Sequence, residues 1–171
     1  MVPDADDFHA LFRREFSWVW NTLRRLGVRP DDLKDQCQEV FLRVHRLLSE
    51  YDTSRPMRPW LFAIAYRVAA RYRTEHAKHP VMEPVDLVDQ APGPHEDLET
   101  KQSQALVLEA LQAIELSRRA VFILAELEER PVPEIAETLG MPLNTAYSRL
   151  RVARGEFAQA VTRLRLRGGR S

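Results

Sequence analysis

The sequence predicts an all-α protein, two small helical domains joined by a flexible acidic linker. Apolar residues recur at helical spacing through both ends of the chain. No segment shows the period-two alternation, bounded by turn signals, that marks a strand. Between the two ends, Pro80, Pro84, Pro92, Gly93 and Pro94 stand among scattered acids, a composition that supports neither helix nor strand. The expected boundaries are residues 5–78 for the first domain, 79–102 for the linker and 103–165 for the second domain.

In the first domain, Phe8, Leu11, Phe12, Phe16, Val19, Leu23 and Leu26 recur at helical spacing as a core stripe, and Gly27 closes that helix. Pro30 and then Asp31 or Asp32 open the next, aspartate being a competent N-cap. At about 100° per residue, Leu33, Cys37, Val40, Phe41, Val44, Leu47 and Leu48 form one continuous stripe of that second helix. Asp35, Gln38, Glu39, Leu42 and Arg46 point the opposite way. A solvated face tolerates such a polar mixture. An apolar Leu42 rimmed by hydrogen-bonding groups also has the make-up of a docking patch, and spacing alone leaves both readings open.

Tyr51 to Arg58 reads as a loop, holding Asp52, Ser54, Arg55 and prolines. Pro59 begins a third helix whose core stripe is Leu61, Ile64, Ala65, Val68 and Tyr72. Phe62, Tyr66 and Arg73 fall on a second face, with Arg67 and Arg71 on the other flank. Exposed aromatics interleaved with arginines suit stacking on unpaired bases beside phosphate contacts. The same rings filling a wider core is the competing reading.

The second domain ends in a helix-turn-helix pattern. Ile135, Ala136 and Leu139 share one face of a short helix, Gly140 takes the left-handed turn that ends it, and Pro142 suits the first turn of the next. Leu143, Ala146, Leu150, Ala153 and Phe157 then form a stripe expected to pack on the short helix. Asn144, Ser148 and Arg151, with Tyr147 and Arg154 more laterally, point away, and Arg149 sits on the flank. A helix presented this way fits the DNA major groove, where Arg pairs with guanine, Asn with adenine, and Ser or Thr with base or phosphate. An ordinary surface hairpin with a solvated arginine face would show the same local pattern.

The bulk composition narrows the function. Of 171 residues, 25 are Lys or Arg and 25 are Asp or Glu. That neutrality argues against strong sequence-independent DNA affinity by the chain alone. It conceals an acidic middle, with Glu83, Asp86, Asp89, Glu96, Asp97 and Glu99, and a basic end, with Arg163, Arg165, Arg167 and Arg170. Cys37 is the single cysteine, so no internal disulfide is expected, and no Cys/His spacing resembles a zinc site. His76 and His79 lack a third ligand placed by sequence, and no Gly-rich phosphate loop or nucleophile–base motif is present, so neither an enzyme nor a cofactor is expected. The acidic, non-apolar N-terminus is not a signal peptide and no apolar run spans a bilayer, which predicts a cytoplasmic protein without membrane insertion.

Three motifs in order carry a family resemblance: Asp35-Gln-Cys-Gln38-Glu39-Val-Phe41-Leu-Arg-Val, then Pro59-Trp60-Leu61-Phe-Ala-Ile64-Ala65, then Glu134-Ile-Ala-Glu-Thr-Leu-Gly with Ser148-Arg149-Leu150. Together the chain resembles bacterial RNA polymerase sigma factors of the extracytoplasmic-function (ECF) type, across nearly its whole length outside the linker and tails. The resemblance implies a region two helical bundle and a region four helix-turn-helix. It implies that Asp35, Gln38, Glu39 and Leu42 meet the β′ clamp of core RNA polymerase, and that the last hairpin rests on the β flap. Promoter DNA would be met in two places: the minus-ten element by Asp52, Ser54, Arg55, Arg58, Trp60, Phe62, Tyr66, Arg67, Arg71 and Arg73, and the minus-thirty-five element by Asn144, Thr145, Tyr147, Ser148, Arg149, Arg151 and Arg154. An anti-sigma factor is a common partner in the family.

The chain departs from the family pattern in two places. Arg67 and Arg71 stand where members often carry Asn and Asp, so a minus-ten preference does not transfer. Asn144-Thr145-Ala146-Tyr147-Ser148-Arg149 replaces the frequent Gly-Thr-Val-Lys-Ser-Arg. The competing functional class is a stand-alone helix-turn-helix regulator that binds duplex DNA without polymerase.

Overall fold

A computed structural model describes residues 5–77 and 98–168. Among these residues every regular element is a helix, and the chain divides into two compact units, Met1–Asp86 and Leu87–Ser171. Residues 79–97 of the expected linker lie outside the described residues.

The first unit is a bundle of α1 (Ala5–Arg25), α2 (Leu33–Leu47) and α3 (Met57–Ala77), each packed on the other two. Gly27, at φ 98°, ends α1: its N–H donates to Arg24 O and that of Val28 to Leu23 O. These two bonds cap the last carbonyls, while Val28 itself enters the core. Leu11, Val19, Leu23 and Leu26 of α1 are buried as expected, but Phe12 is exposed, its ring resting on Phe16 and Phe41. In α2 the buried residues are Leu33, Cys37, Val40, Phe41 and Val44, the predicted stripe less its last turn. Burial without a nearby cation pushes the Cys37 thiol up to about 12, which keeps it protonated and unreactive at neutral pH.

Helix α3 corrects the expectation for Phe62. It buries Leu61, Ile64, Ala65, Val68 and Tyr72 as predicted, but Phe62 (0% exposed) and Ala69 as well. A helix wedged between two neighbours buries an arc wider than one stripe, and Phe62 lies in the added arc. The ring is core and unavailable to a nucleobase. The helix also starts at Met57, ahead of Pro59, which occupies its first turn where a missing N–H leaves no carbonyl unpaired.

Asp32 does not act through its side chain as a cap for α2. Its carboxylate instead accepts hydrogen bonds from Tyr72 Oη at 2.6 Å and from Arg29 Nε and Nη2. The His76 ring stacks on Tyr72 at 4.0 Å and holds its Nε2 3.8 Å from Asp32. This cluster ties the start of α2 to the end of α3. Partial burial works against the Asp32 charge, but the Tyr72 and Arg29 hydrogen bonds outweigh it and hold the carboxyl below its ordinary value. Burial first, and then donation to Asp32, push the Tyr72 phenol above its own.

The second unit holds α4 (Leu98–Gln112), α5 (Leu116–Phe122), α6 (Val132–Leu139) and α7 (Leu143–Gly168). Helix α4 starts inside the stretch read as linker, where Leu, Glu, Lys and Gln residues favour a helix. After α5 the backbone widens into a π-wound turn, Ile123–Leu127, where Glu128 N–H reaches Ile123 O and Arg130 N–H reaches Leu124 O. Glu129 lies between them at φ 52°, a left-handed conformation that L side chains resist. Gly140, at φ 63°, closes α6 with the same pair of capping bonds seen at Gly27, here from Gly140 N–H to Glu137 O and from Met141 N–H to Ala136 O. Ile135, Ala136, Ala146, Leu150 and Ala153 are buried and Leu139 half-buried, but Leu143 is exposed. The α7 stripe serves more than α6: Phe157 stacks on Phe122 of α5 at 4.7 Å. Leu143 precedes the turn at which that packing begins.

Arg119 is the least expected core residue, with 1% exposure. Its guanidinium donates to Ile114 O, Gln112 O and Gln112 Oε1, so a buried cation caps the carbonyls at the end of α4. Arg118 beside it pairs with Glu156 through two hydrogen bonds, binding α5 to α7.

Phe62→Ala should cost about 3–5 kcal/mol by emptying a core site; an unchanged urea midpoint would return the ring to the surface. Glu129→Gly should stabilise the fold by no more than about 1 kcal/mol, as relief of the left-handed strain is partly offset by unfolded-chain entropy, and a loss of stability would contradict this. Asp32 stabilises the fold above the ordinary carboxylate pKa near ~4, and that contribution disappears as pH falls through its depressed folded value. In Tyr72→Phe the Asp32 midpoint should move upward, read by carboxyl-carbon NMR titration, and acid unfolding should begin at higher pH.

Candidate nucleic-acid and protein interfaces

The outward side of α2 follows from its inward side. With Val40, Phe41 and Val44 committed to the core, Asp35, Gln38 and Leu42 project to solvent, Leu42 with 48% exposure. Glu39 is half-buried; it accepts a hydrogen bond from Arg43 Nε at 2.7 Å and lies close enough to Arg71 of α3 to favour that cation's charge. The surface is an apolar residue flanked by one acid, one amide and a carboxylate already oriented by its neighbours. Such a patch is suited to a protein partner with matching donors.

The loop before α3 is built by its own side chains. Asp52 Oδ1 accepts from Ser54 N–H at 2.9 Å and Ser54 Oγ at 2.7 Å, a turn in which the carboxylate imitates a backbone carbonyl. The Ser54 bonds hold the Asp52 carboxyl below its ordinary value, with Arg55 adding to the effect. The Tyr51 hydroxyl donates to Arg55 O, and its ring lies 4.9 Å from that of Trp60. Tyr51 was not among the sequence-derived site residues. Its signal was only an aromatic at a loop edge, and nothing in spacing revealed the Trp60 contact.

The structure separates the remaining minus-ten candidates. Arg58 has work within the fold: its Nε donates to Glu15 Oε2, and the guanidinium lies over the Trp18 ring at 5.5 Å. The Glu15 side chain is only 7% exposed, so Arg58 shares with Arg14 the neutralisation of a carboxylate inside the bundle. Trp60 and Tyr66 are half-buried, while Arg67, Arg71 and Arg73 are exposed, Arg71 pairing with Glu75 at 2.9 Å. Arg67 and Arg71 share a flank one turn apart. Phe62 is absent from this surface, as described above.

In the second unit, Asn144, Tyr147, Ser148, Arg151 and Arg154 are exposed and Thr145 and Arg149 are half-buried. Tyr147, Ser148, Arg151 and Arg154 line an open groove with Val132 and Leu150, between the start of α6 and the middle of α7. Arg149 reaches back to Met141, its Nη1 3.9 Å from the sulfur. Arg154 is paired with Glu126 at 2.6 Å. The arrangement offers cations and hydrogen-bonding tips along one helix, backed by buried alanines, which is what major-groove readout requires.

His76 stacks on Tyr72 and His79 lies outside the described residues. Among the described residues, no group of three or more His, Cys, Asp or Glu could hold a metal ion, and no helix is long and apolar enough to cross a membrane.

Residues 11–79 match the family Sigma-70 region 2, and residues 97–156 match Sigma-70, region 4. The RNA polymerase sigma factor NccH of Alcaligenes xylosoxydans xylosoxydans is 26% identical over 160 residues, which cover 90% of this chain and 86% of that protein. The ECF RNA polymerase sigma-E factor of Haemophilus influenzae is 26% identical over 162 residues, covering 88% of this chain and 85% of that protein. The sigma factor RpoE of Bartonella quintana, solved in complex with the anti-sigma factor NepR, shares the fold with a TM-score of 0.65 and 19% identity, over 88% of this chain and 96% of that one.

Proposed function

The chain belongs to the sigma-70 family, as a sigma factor of the extracytoplasmic-function type, and we propose that it acts as a dissociable, non-catalytic cytoplasmic subunit that directs core RNA polymerase to its promoters. The observation that carries this reading is the pair of region 2 and region 4 matches, in order, on one chain. In this reading residues 5–78 bind polymerase and the minus-ten element, 79–102 connect, and 103–165 read the minus-thirty-five element.

Asp35, Gln38, Glu39 and Leu42 dock on the β′ clamp, and the exposure of Leu42 supports this. The Asp52–Ser54 turn, with Arg55 and Trp60, takes a base extruded from the minus-ten strand. Unstacking a base costs a few kcal/mol, offset by its pocket and by phosphate contacts from Tyr66, Arg67, Arg71 and Arg73. Because the loop is ordered by its own hydrogen bonds before any base arrives, little further entropy is lost on capture. Arg58 contributes by holding the bundle side of this surface through Glu15. Asn144, Thr145, Tyr147, Ser148, Arg149, Arg151 and Arg154 face the minus-thirty-five major groove, while the second unit rests on the β flap. An anti-sigma partner is proposed by analogy with the Bartonella quintana sigma factor, which was solved in complex with one.

Run-off transcription with purified core polymerase on a random promoter library tests the proposal. The wild-type protein should yield defined start sites and be retained by polymerase in a pull-down, whereas Asp35→Arg and Leu42→Arg should lose retention at least tenfold while keeping the wild-type unfolding midpoint. Tight binding of a specific duplex by the protein alone, with no polymerase retained, would replace this reading with a stand-alone regulator.

A further inference from the structure

Tyr147, Arg151 and Arg154 follow one another on α7 at spacings that, at about 100° per residue, keep them within roughly 60° of one another. They share the groove with Val132, Ser148 and Leu150. The two arginines differ in charge environment. Arg151 has no ion pair among the described residues. Arg154 presents Nε and Nη2 to a single oxygen, Oε1 of Glu126, both at 2.6 Å. Glu126 comes from the π-wound turn after α5, so the pair crosses from a supporting element onto the nucleic-acid face.

We propose that Glu126 is a specificity-determining residue: it neutralises Arg154 where a DNA phosphate would otherwise bind, and so lowers the sequence-independent attraction of α7 for duplex. This rests on the reading of α7 as the promoter-reading helix. Arg154 lies about 9 Å further along the axis than Ser148, at 1.5 Å per residue. Base edges are read by the first turns of a recognition helix, so Arg154 meets the sugar-phosphate backbone. A phosphate and the Glu126 carboxylate carry the same sign and need the same edge of the guanidinium. Binding therefore exchanges one anion for another, and the usual gain from counterion release is reduced. The side chains are 59% and 35% exposed, so the pair is open to solvent and a phosphate can displace it. Discrimination is left to Asn144, Tyr147, Ser148 and Arg151, earlier on the helix, which have no such carboxylate partner among the described residues. The neutral composition of the chain acts in the same direction.

The test uses the full chain and two labelled duplexes, one of random sequence and one recovered from run-off transcription, titrated across a salt series. Glu126→Gln should tighten random-duplex binding by up to about fivefold, the equivalent of one exposed ion pair. The slope of log affinity against log salt should steepen by about 0.9, one added phosphate contact, and the promoter-to-random ratio should fall. In an Arg154→Gln background the same substitution should do nothing. An unchanged slope and random-duplex affinity, an equal gain without Arg154, or a loss confined to the promoter duplex would each overturn the assignment. Transcription by wild-type holoenzyme separates the two levels: transcription with an unchanged Glu126→Gln slope removes only the role of Glu126, and absence of transcription removes the reading beneath it.

Discussion

Burial of α3 on two sides is the constraint from which the surfaces of the first unit follow. Phe62 and Ala69 fill one side of its wide apolar arc, and Leu61, Ile64 and Val68 extend the rest. With that arc used up in packing, Arg67 and Arg71 are left exposed on one flank, and Arg73, near the helix end, is exposed on the other. The same packing fixes the orientation of α2, because Val40, Phe41 and Val44 must reach the shared core. Leu42 is left outside by helical geometry. The docking proposed for this face makes use of that exposure. The Asp32–Tyr72–Arg29 cluster then locks the far end of the bundle with hydrogen bonds that packing alone would not direct.

Several arginines among the described residues are paired within the fold. Arg58 answers Glu15, Arg118 answers Glu156, Arg119 caps the end of α4, and Arg154 answers Glu126. A nucleic-acid binder that used all its arginines for phosphate would hold any duplex and search slowly for its own. Here Arg58, Arg71 and Arg154, on the proposed contact faces, are each paired with a carboxylate of the protein itself. That arrangement suits a subunit whose DNA contacts become productive only alongside a larger machine. It also agrees with the equal numbers of acidic and basic side chains in the sequence.

Both units combine an apolar core with capped helix ends, but in different proportion. The first is an apolar bundle, with an edge-on aromatic contact between Phe12 and Phe41 near the surface. The second has little buried aromatic mass beyond Phe122 and Phe157, and joins an aliphatic core to several caps. Gly140 turns the backbone out of α6, Glu115 accepts from Ser117 and Arg118 N–H groups at the start of α5, and Arg119 closes α4. Each satisfies backbone groups that a helix end leaves exposed. Short helices such as α6 are marginal by themselves, so these terminal bonds and the seam with α7 hold the hairpin in its reading geometry.

The sequence by itself determined the all-helical class, the core stripes of α2 and α3, the glycine stops at Gly27 and Gly140, and the outward direction of Leu42, Arg151 and Ser148. All of these depend on residue type and on a repeat of about 3.6, which a linear reading measures directly. Tertiary structure alone decided that Phe62 is core, that Phe12 and Leu143 are exposed, and that Glu129 adopts a left-handed turn. It also decided which arginines are occupied. Pairs such as Arg58 with Glu15, or Arg154 with Glu126, join residues far apart in sequence, and periodicity carries no information about what lies across a helix interface. How wide an arc a helix buries depends on the number of its neighbours, and that number exists only once the chain has folded.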